Sequence, residues 1–326
     1  MSMKFSIALA TCNGQRFLRE QLNSYLSQTR HPDEVVVCDD RSDDQTLDVL
    51  SEFATRAPFP IRIEQNEQRL GITGNFDRAI SLCHGDVIFL SDQDDLWMPE
   101  KLARHEAVYR ASPDVGLVFS DGDVVTDDLV PLEYTLYDTF GVISARQRAM
   151  NAGHALEELV KCSRVTGCTL SFSADCRDIL LPLSKHWHHD EWIALLTSAL
   201  AGIHTLSESL LQYRRHQAQA IGAGNPNQDP MIARPAWLPS RLVNIDCQIH
   251  QLTEALDRLS RFEPRLLRHD YRSVFESKLD HLRRRRSLPR PRPARLPGLI
   301  WEVVSGKYLR YSRWPKLELR ADLCDR

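Results

Sequence analysis

The chain lacks several features that would place it in familiar classes of protein. Its eight cysteines include no Cys-x-x-Cys pair, which disfavours a zinc knuckle or a dithiol redox motif. No Gly-x-Gly-x-x-Gly follows the first apolar run, so a dinucleotide-binding site of the Rossmann type is disfavoured. Several cysteines lie inside apolar runs, where they fit small core residues of a protein in a reducing compartment.

Long hydrophobic runs are also absent. The first four residues lead into only a short apolar run, which predicts no signal peptide. The longest mostly apolar stretch, residues 192–203, is about half the length that a membrane-spanning helix needs. We therefore expect no integral membrane segment and a cytoplasmic location.

Charge is distributed unevenly along the 326 residues. The formal net charge is −3, yet residues 261–320 contain 17 Lys and Arg against 6 Asp and Glu, a net charge of +11. Residues 1–260 carry a net charge of −13. The sequence therefore predicts an acidic body with a basic carboxyl-terminal region.

Short apolar runs alternate with helical patterns over the first 119 residues. The segments between the runs repeat apolar residues at helical spacing. This alternation predicts an α/β fold with a mostly parallel, doubly wound sheet. The predicted strands are 4–10, 34–38, 61–64, 86–91 and 115–119.

Carboxylates follow two of these strands at the same point in the alternation. Asp39 and Asp40 follow the second strand, and Asp92, Asp94 and Asp95 follow the fourth. The carboxyl ends of parallel strands meet at one edge of the sheet, where ligands bind in open α/β folds. Crowded carboxylates repel each other unless a proton or cation relieves them, and their hard oxygens favour Mg²⁺, Mn²⁺ or Ca²⁺. A solvated acidic turn is the alternative interpretation.

Four blocks in this half of the chain carry a specific resemblance. In chain order they read A-L-A-T-C-N-G, V-V-V-C-D-D-R-S-D-D-Q-T, R-L-G-I-T-G-N-F and F-L-S-D-Q-D-D-L-W. Together they resemble the successive motifs of family 2 glycosyltransferases with the GT-A fold. The resemblance implies a Rossmann-like, mostly parallel sheet flanked by helices, with a C-terminal helical extension.

The resemblance assigns a nucleotide-sugar site and a metal site to these blocks. It implies a Mg²⁺ or Mn²⁺ ion on the donor diphosphate, with Asp92, Asp94 and His216 as ligands. A carboxylate such as Asp39 can accept the N–H of a pyrimidine, and a divalent cation can absorb the charge of a departing diphosphate. The residues implied to contact the donor are Thr11, Asn13, Asp39, Asp40, Gly71, Asn75, Asp92 and Arg214.

Three blocks further along the chain resemble the rhamnosyltransferase branch of the family. They read V-T-G-C-T-L-S-F, H-D-E-W-I-A-L-L and Y-R-R-H-Q-A-Q-A-I-G. The resemblance implies dTDP-L-rhamnose as donor and Asp190 as the general base, with Glu191 as the alternative base. A carboxylate that stabilises a helix dipole is the structural alternative for this pair.

Two local predictions accompany these blocks. Residues 165–172 read as a strand interrupted by Gly167, and residues 174–181 read as a short helix. His186, His188 and His189 lack the i, i+4 spacing of a helical ligand pair, which disfavours a metal site among them.

The sequence divides into three predicted regions. Residues 1–222 form the catalytic domain, with a nucleotide-sugar half (1–119) and an acceptor half (120–222). Residues 223–240 form a linker rich in Gly, Asn and Pro, and residues 241–326 form a basic helical region.

The basic region has two compatible interpretations. It forms a helical lid with a solvated basic face, or it rests on anionic lipid at the cytoplasmic face of the inner membrane. The run of four arginines at 283–286 is central to both. A nucleic-acid partner is disfavoured because no recognition fold accompanies the patch.

The predicted function is an inverting, metal-dependent glycosyltransferase. It would move L-rhamnose from dTDP-L-rhamnose onto a glycan or lipid-linked glycan such as lipopolysaccharide or O-antigen. The alternatives are a UDP-hexose-dependent glycosyltransferase and an inactive module that binds nucleotide sugar or glycan. A nucleotidyltransferase is less favoured, because the loop Thr11-Cys12-Asn13-Gly14 lacks the basic residues that would grip phosphate.

Overall fold

The computed structural model describes most of the chain. The described residues are 3–162, 164–217, 219, 241–268, 270–289, 291–312 and 315–324. The predicted linker at 223–240 lies outside these ranges.

Nine strands in the described residues form one sheet. Its order is β3-β2-β1-β4-β8-β6-β9-β5, with β7 paired to β6. The strands are β1 (Phe5–Thr11), β2 (Glu34–Asp39), β3 (Ile61–Gln65), β4 (Val87–Ser91), β5 (Leu96–Trp97), β6 (Val115–Thr126), β7 (Pro131–Thr135), β8 (Leu170–Ser173) and β9 (Gly202–Arg215).

Helices cover the sheet and form the carboxyl-terminal region. They are α1 (Leu18–Leu26), α2 (Thr46–Arg56), α3 (Gly71–Leu82), α4 (Lys101–Ala111), α5 (Leu136–Phe140), α6 (Ser144–Ala149), α7 (Ala155–Leu159), α8 (Arg177–Leu180), α9 (His189–Leu200), α10 (Arg241–Ser260), α11 (Tyr271–Arg286), α12 (Arg292–Val304), α13 (Lys307–Tyr311) and α14 (Pro315–Cys324). None of the helices in these described ranges is long and apolar enough to cross a bilayer.

The first four strands pair in parallel, which confirms the predicted α/β class and the mostly parallel sheet of the first half. The apolar residues of β1, β2 and β4 are buried on both faces of the sheet, as expected for strands sandwiched between helices. The register places Thr11 beside Asp39 and Leu9 beside Ser91. The carboxyl ends of β1, β2 and β4 therefore share one edge.

The second half of the sheet mixes directions. Strand β8 is antiparallel to β4 and β6, whereas β6 and β9 are parallel. The predicted strand at 165–172 is wrong in its first part, because Gly167–Thr169 forms a 3₁₀ turn before β8 begins. A Cβ on Gly167 would lie 2.7 Å from His189 Nε2, so packing against α9 decides this backbone. The predicted helix at 174–181 is a 3₁₀ turn (Ala174–Cys176) followed by α8.

Apolar cores lie on both faces of the sheet. One core packs α1, α2 and α4 on the sheet through residues such as Leu22, Phe53 and Leu102. The other packs α3 and α9 on the opposite face and continues into α10 and α11, which contribute Leu252 and Phe275. Helices α10 and α11 therefore share a core with α9.

The four-arginine run is not a uniformly solvated face. Arg285 is 5% exposed, and its guanidinium lies 2.6 Å from Asp322 and 2.5 Å from Glu318. Arg286 pairs with Asp246 at 2.7 Å. The expectation of a solvated basic face is wrong for Arg285, because acidic residues of α14 neutralise it inside the helical bundle.

Candidate active site

Loops after β1, β2 and β4 converge at the carboxyl edge of the sheet. The side-chain amide of Gln93 accepts from the N–H of Cys12 at 2.8 Å and donates to its carbonyl at 3.0 Å. A Cβ on Gly14 would lie 2.2 Å from Gln93 Oε1, so glycine is required for this close approach. Gln93, which lies between Asp92 and Asp94, thus fixes the loop that follows β1.

The loop after β2 is organised by Asp39. Its fully buried carboxylate accepts from Thr11 Oγ1 at 2.9 Å, from Ser42 N at 2.8 Å and from Ser42 Oγ at 2.5 Å. Asn13, in the loop after β1, is exposed and has φ of 51°. Its side chain accepts a hydrogen bond from the N–H of Asp43. The pyrimidine contact of Asp39 stays a prediction, since three of its roughly four acceptor positions already serve the protein.

Asp40, Gly71 and Asn75 tie the strand ends to α3. The Asp40 carboxylate accepts from the N–H groups of Leu70 and Gly71 at 2.7 and 2.9 Å, which satisfies orphan donors at the start of α3. Gly71 has φ of +73°, a conformation that favours glycine. Asn75 donates to the carbonyls of Cys38 and Thr11. These three residues frame the site, and direct donor contacts stay predictions.

Three carboxylates crowd the end of β4. Burial raises the pKa of Asp92 well above its usual range, and the negative charges of Asp95, Asp94 and Asp190 raise it further. Burial also raises the pKa of Asp95, which is inaccessible to solvent, and the charge of Asp94 adds to this effect. The cluster is therefore electrostatically strained when ionised, and a bound cation would relieve it.

Two separate sets of donor atoms around this cluster could hold a divalent cation. His216 Nε2 lies 2.9 Å from Asp94 Oδ2, which brings together two predicted ligands far apart in sequence. One donor atom each of Asp92, Asp95 and Cys168 lies within 4.8 Å of the others. Asp95 Oδ2 is buried without a hydrogen-bond partner among the residues that the structure describes. Oxygen ligands with one imidazole suit Mn²⁺ or Mg²⁺.

Arg214 contacts the loop that carries the acidic cluster and is almost fully buried. Its Nε donates to the carbonyl of Asp94 at 2.9 Å, and its other nitrogens donate to the carbonyl of Asp127 and to the Glu20 carboxylate. The guanidinium also lies over the Phe17 ring, 4.5 Å from its centroid. These contacts make Arg214 a positioning residue for the Asp94 loop, and its contact with a diphosphate stays a prediction.

Asp190 and Glu191 lie in the first turn of α9, as predicted. Asp190 Oδ2 accepts from the N–H of Gly167 at 3.1 Å, and Oδ1 accepts from the N–H of Glu191 at 2.8 Å. The 3₁₀ turn that holds Asp190 also presents Cys168 to the acidic cluster. Asp190 therefore lies close enough to the cluster for its charge to raise the pKa of Asp92.

Lys101 is a site residue that the sequence did not reveal. It is fully buried, its Nζ donates to the carbonyl of Cys168, and it lies over the Trp97 ring. Burial lowers the pKa of Lys101 to about 8, while the nearby Asp95 and Asp92 charges oppose that shift. A lysine in the first turn of a helix is usually solvated, so no local sequence pattern could have indicated that Lys101 is buried beside the acidic cluster.

Two groups at this edge can take part in chemistry, the Asp190 carboxylate and the acidic cluster. A carboxylate held by backbone N–H groups can accept a proton, and a cluster of carboxylates with one imidazole can hold a divalent cation. The loops after β1 and β2 lie beside both. This arrangement is suited to displacing a phosphate leaving group with an activated hydroxyl.

Comparison with known proteins agrees with this geometry. The family model described as Glycosyl transferase family 2 matches residues 6–152, which include the strand-end loops and the acidic cluster. This match agrees with the family resemblance that the motifs of the first half carry. An uncharacterized glycosyltransferase of Nostoc sp. is 29% identical over 232 residues, 66% of this chain and 66% of that protein.

Another curated relative carries a more specific name. A dTDP-rhamnosyl transferase of Shigella flexneri is 37% identical over 98 residues, which is 29% of this chain and 34% of that protein. The chain covers less than two thirds of the length of either relative.

Solved structures share the fold. TarS 1–349 of S. aureus in complex with UDP-GlcNAc has a TM-score of 0.57 at 17% identity, covering 98% of this chain and 80% of that chain. A mannosyltransferase of Pyrobaculum calidifontis in complex with GDP-Man and Mn²⁺ has a TM-score of 0.55 at 15% identity, covering 99% and 86%. This likeness confirms the predicted GT-A-type fold.

Proposed function

We propose that the chain is an inverting glycosyltransferase that moves a sugar from a nucleotide donor to a glycan or lipid-linked glycan. The observation that carries the proposal is the proximity of Asp190 to the acidic cluster. Asp190 is held by the N–H of Gly167, and its charge acts on Asp92. A base for the acceptor and a site for the donor diphosphate therefore lie at one sheet edge.

In the proposed mechanism Asp190 accepts the proton of the acceptor hydroxyl as that oxygen attacks the anomeric carbon. The bond to the diphosphate breaks on the opposite side of the sugar, so the anomeric configuration inverts. Asp190 is suited to this because two backbone N–H groups orient its carboxylate. Glu191 is the alternative base, one position along the same turn.

Asp94 and His216 would hold a Mg²⁺ or Mn²⁺ ion, with Asp92 as a further ligand. The bound ion would neutralise the charge of the departing diphosphate. The 2.9 Å separation of Asp94 and His216 supports this assignment, as does the crowding of carboxylates. Arg214 holds the Asp94 loop in place through its hydrogen bond to the carbonyl of Asp94.

We infer dTDP-L-rhamnose as the donor. Support comes from the motifs around Gly167, Asp190 and Arg214 that resemble the rhamnosyltransferase branch, and from the dTDP-rhamnosyl transferase among the relatives. A UDP-hexose is the alternative donor. Thermal shift with each nucleotide sugar in the presence of Mn²⁺ separates them, because the ligand that binds the folded state most tightly raises Tm most.

We further infer peripheral contact with an anionic membrane, at the cytoplasmic face of the inner membrane. Helices α12 and α13 leave Ile300, Val304 and Leu309 exposed, Val304 at 81% and Leu309 at 75%. Lys307 and Arg310 lie on the same segment. Because Arg285 is engaged in internal ion pairs, we expect insertion of these apolar side chains to contribute more to the free energy of membrane binding than the four-arginine run does.

A transfer assay tests the proposal. Incubation with dTDP-L-rhamnose, Mn²⁺ and a lipid-linked glycan should release dTDP and extend the glycan. A protein that binds nucleotide sugars but releases no nucleoside diphosphate from any of them would instead be a binding module.

A further inference from the structure

A second cluster of metal-ligating side chains lies outside the candidate active site, where α10 packs beside the segment that precedes α9. One donor atom each of His186, His250 and Glu254 lies within 4.8 Å of the others. The two imidazoles meet edge to face, with ring centroids 4.6 Å apart and an interplanar angle of 88°. We propose that these three residues bind a transition-metal ion of the Zn²⁺ type.

The ligands are held in place by neighbouring hydrogen bonds. Ser184 Oγ donates to Glu254 Oε2 at 2.8 Å and accepts from the N–H of His186 at 3.1 Å. Gln251 Nε2 donates to the carbonyl of His186 at 2.6 Å. Ser184 thus orients the Glu254 carboxylate, while Ser184 and Gln251 fix the backbone of His186, and such supporting contacts are what a preorganised metal site requires.

The ligand set is chemically distinct from that of the acidic cluster. His250 and Glu254 are separated by one helical turn, the i, i+4 spacing that presents two ligands on one face. Two imidazoles and one carboxylate, with one position left open, form a common set for Zn²⁺. Imidazole-rich sites favour Zn²⁺, Ni²⁺ or Cu²⁺, whereas carboxylate-rich sites suit Mg²⁺ and Mn²⁺. The two sites therefore differ in the metal that their ligand atoms favour.

The structure also explains why the histidine-rich segment did not look like a metal site. His188 occupies the position before the first turn of α9, and His189 stacks on Phe76 with centroids 4.2 Å apart. Only His186 joins the cluster, and α10 supplies the other ligands from a distant part of the sequence. The prediction against a site among the three neighbouring histidines is compatible with a site that uses one of them.

An ion at this position would connect α10 to the segment that leads into Asp190. His186 lies four residues before Asp190, so its ligation would restrain the start of α9. The site is then a clamp between the carboxyl-terminal helices and the loop that carries the candidate base. This consequence rests on the proposed function, whereas the metal site itself does not.

Calorimetric titration of metal-free protein with Zn²⁺ tests the site. The titration is run near pH 7.5, because imidazole ligands must be deprotonated, and its stoichiometry separates this site from Zn²⁺ bound at the acidic cluster. The tested variant is His250→Ala, and the matched control is His84→Ala, an exposed histidine after α3. We expect wild type and His84→Ala to bind Zn²⁺ equally, and His250→Ala to bind it more than about tenfold more weakly.

Two further measurements separate the outcomes. The Asp94→Ala variant should keep the same Zn²⁺ affinity, since that residue belongs to the other site, and this holds whether or not the chain transfers sugar. Circular dichroism checks that His250→Ala is folded, and Ser184→Ala should weaken binding by about tenfold without removing a ligand. Equal Zn²⁺ affinity in wild type and folded His250→Ala, or no Zn²⁺ binding by wild type, would overturn the proposal.

Discussion

Replacing Asp190 with asparagine removes the candidate base while keeping its shape. The amide oxygen of the new side chain can still accept from the N–H of Gly167, which lies 3.1 Å from the carboxylate in the native protein, and only the contact with the N–H of the neighbouring Glu191 is lost. The start of α9 should therefore stay in place. Because a positioned general base contributes about 10²–10⁴-fold to a rate, we expect kcat to fall by that factor, or about 2.7–5.4 kcal/mol in activation free energy.

The assay measures kcat and KM for transfer, together with donor affinity by calorimetry. We expect Asp190→Asn to lose kcat with donor affinity nearly unchanged, because the proposed contact of the donor diphosphate is with the acidic cluster rather than with α9. Glu191→Gln is the matched control, since it makes the same change one position along the turn. Loss of activity in Glu191→Gln with full activity in Asp190→Asn would refute the assignment of Asp190 and make Glu191 the base.

Four further predictions follow from the geometry. Asp94→Ala should abolish Mn²⁺-dependent turnover with the fold intact by circular dichroism, and full activity of wild type in EDTA would contradict the metal site. Gly14→Ala should lower Tm and donor affinity, at a cost of about 1–3 kcal/mol, because its Cβ would displace Gln93 from Cys12. Burial and the charge of Asp94 raise the folded-state pKa of Asp95. The metal-free protein should therefore lose stability as pH rises above the ordinary Asp pKa of about 3.9. Asp95→Asn should flatten the dependence of Tm on pH, and an unchanged dependence would argue against electrostatic strain at Asp95. Changing both Val304 and Leu309 to Asp should reduce sedimentation with anionic vesicles and spare transfer to a short soluble acceptor, whereas unchanged sedimentation would exclude this face as the membrane contact.

The nucleotide half of the fold could be predicted because its signals are local. Apolar runs of strand length end in acidic turns, and strand alternation then requires those turns to share one edge. Strand β5 was missed because two residues carry no periodicity, and β7 was missed because it begins with proline, which disfavours a strand. The strand predicted at 165–172 failed because the pattern of apolar residues cannot report that Gly167 packs against His189.

The candidate site was only partly predictable. Asp94 and His216 are 122 residues apart, so no spacing rule could pair them, and only the family resemblance indicated both. Asp40 and Asn75 make hydrogen bonds that tie strand ends to α3, which the sequence did not indicate, and their predicted contacts with the donor stay predictions. Lys101 was missed because its burial depends on the carbonyl of Cys168, 67 residues away.

The release of dTDP from dTDP-L-rhamnose, measured with and without acceptor, tests the central claim most directly. The account predicts acceptor-dependent release in Mn²⁺, loss of release in EDTA, and inverted anomeric configuration in the product. Acceptor-dependent release that persists unchanged in EDTA, or a product with retained configuration, would contradict the proposed mechanism in which Asp190 and the acidic cluster act on opposite sides of one displacement.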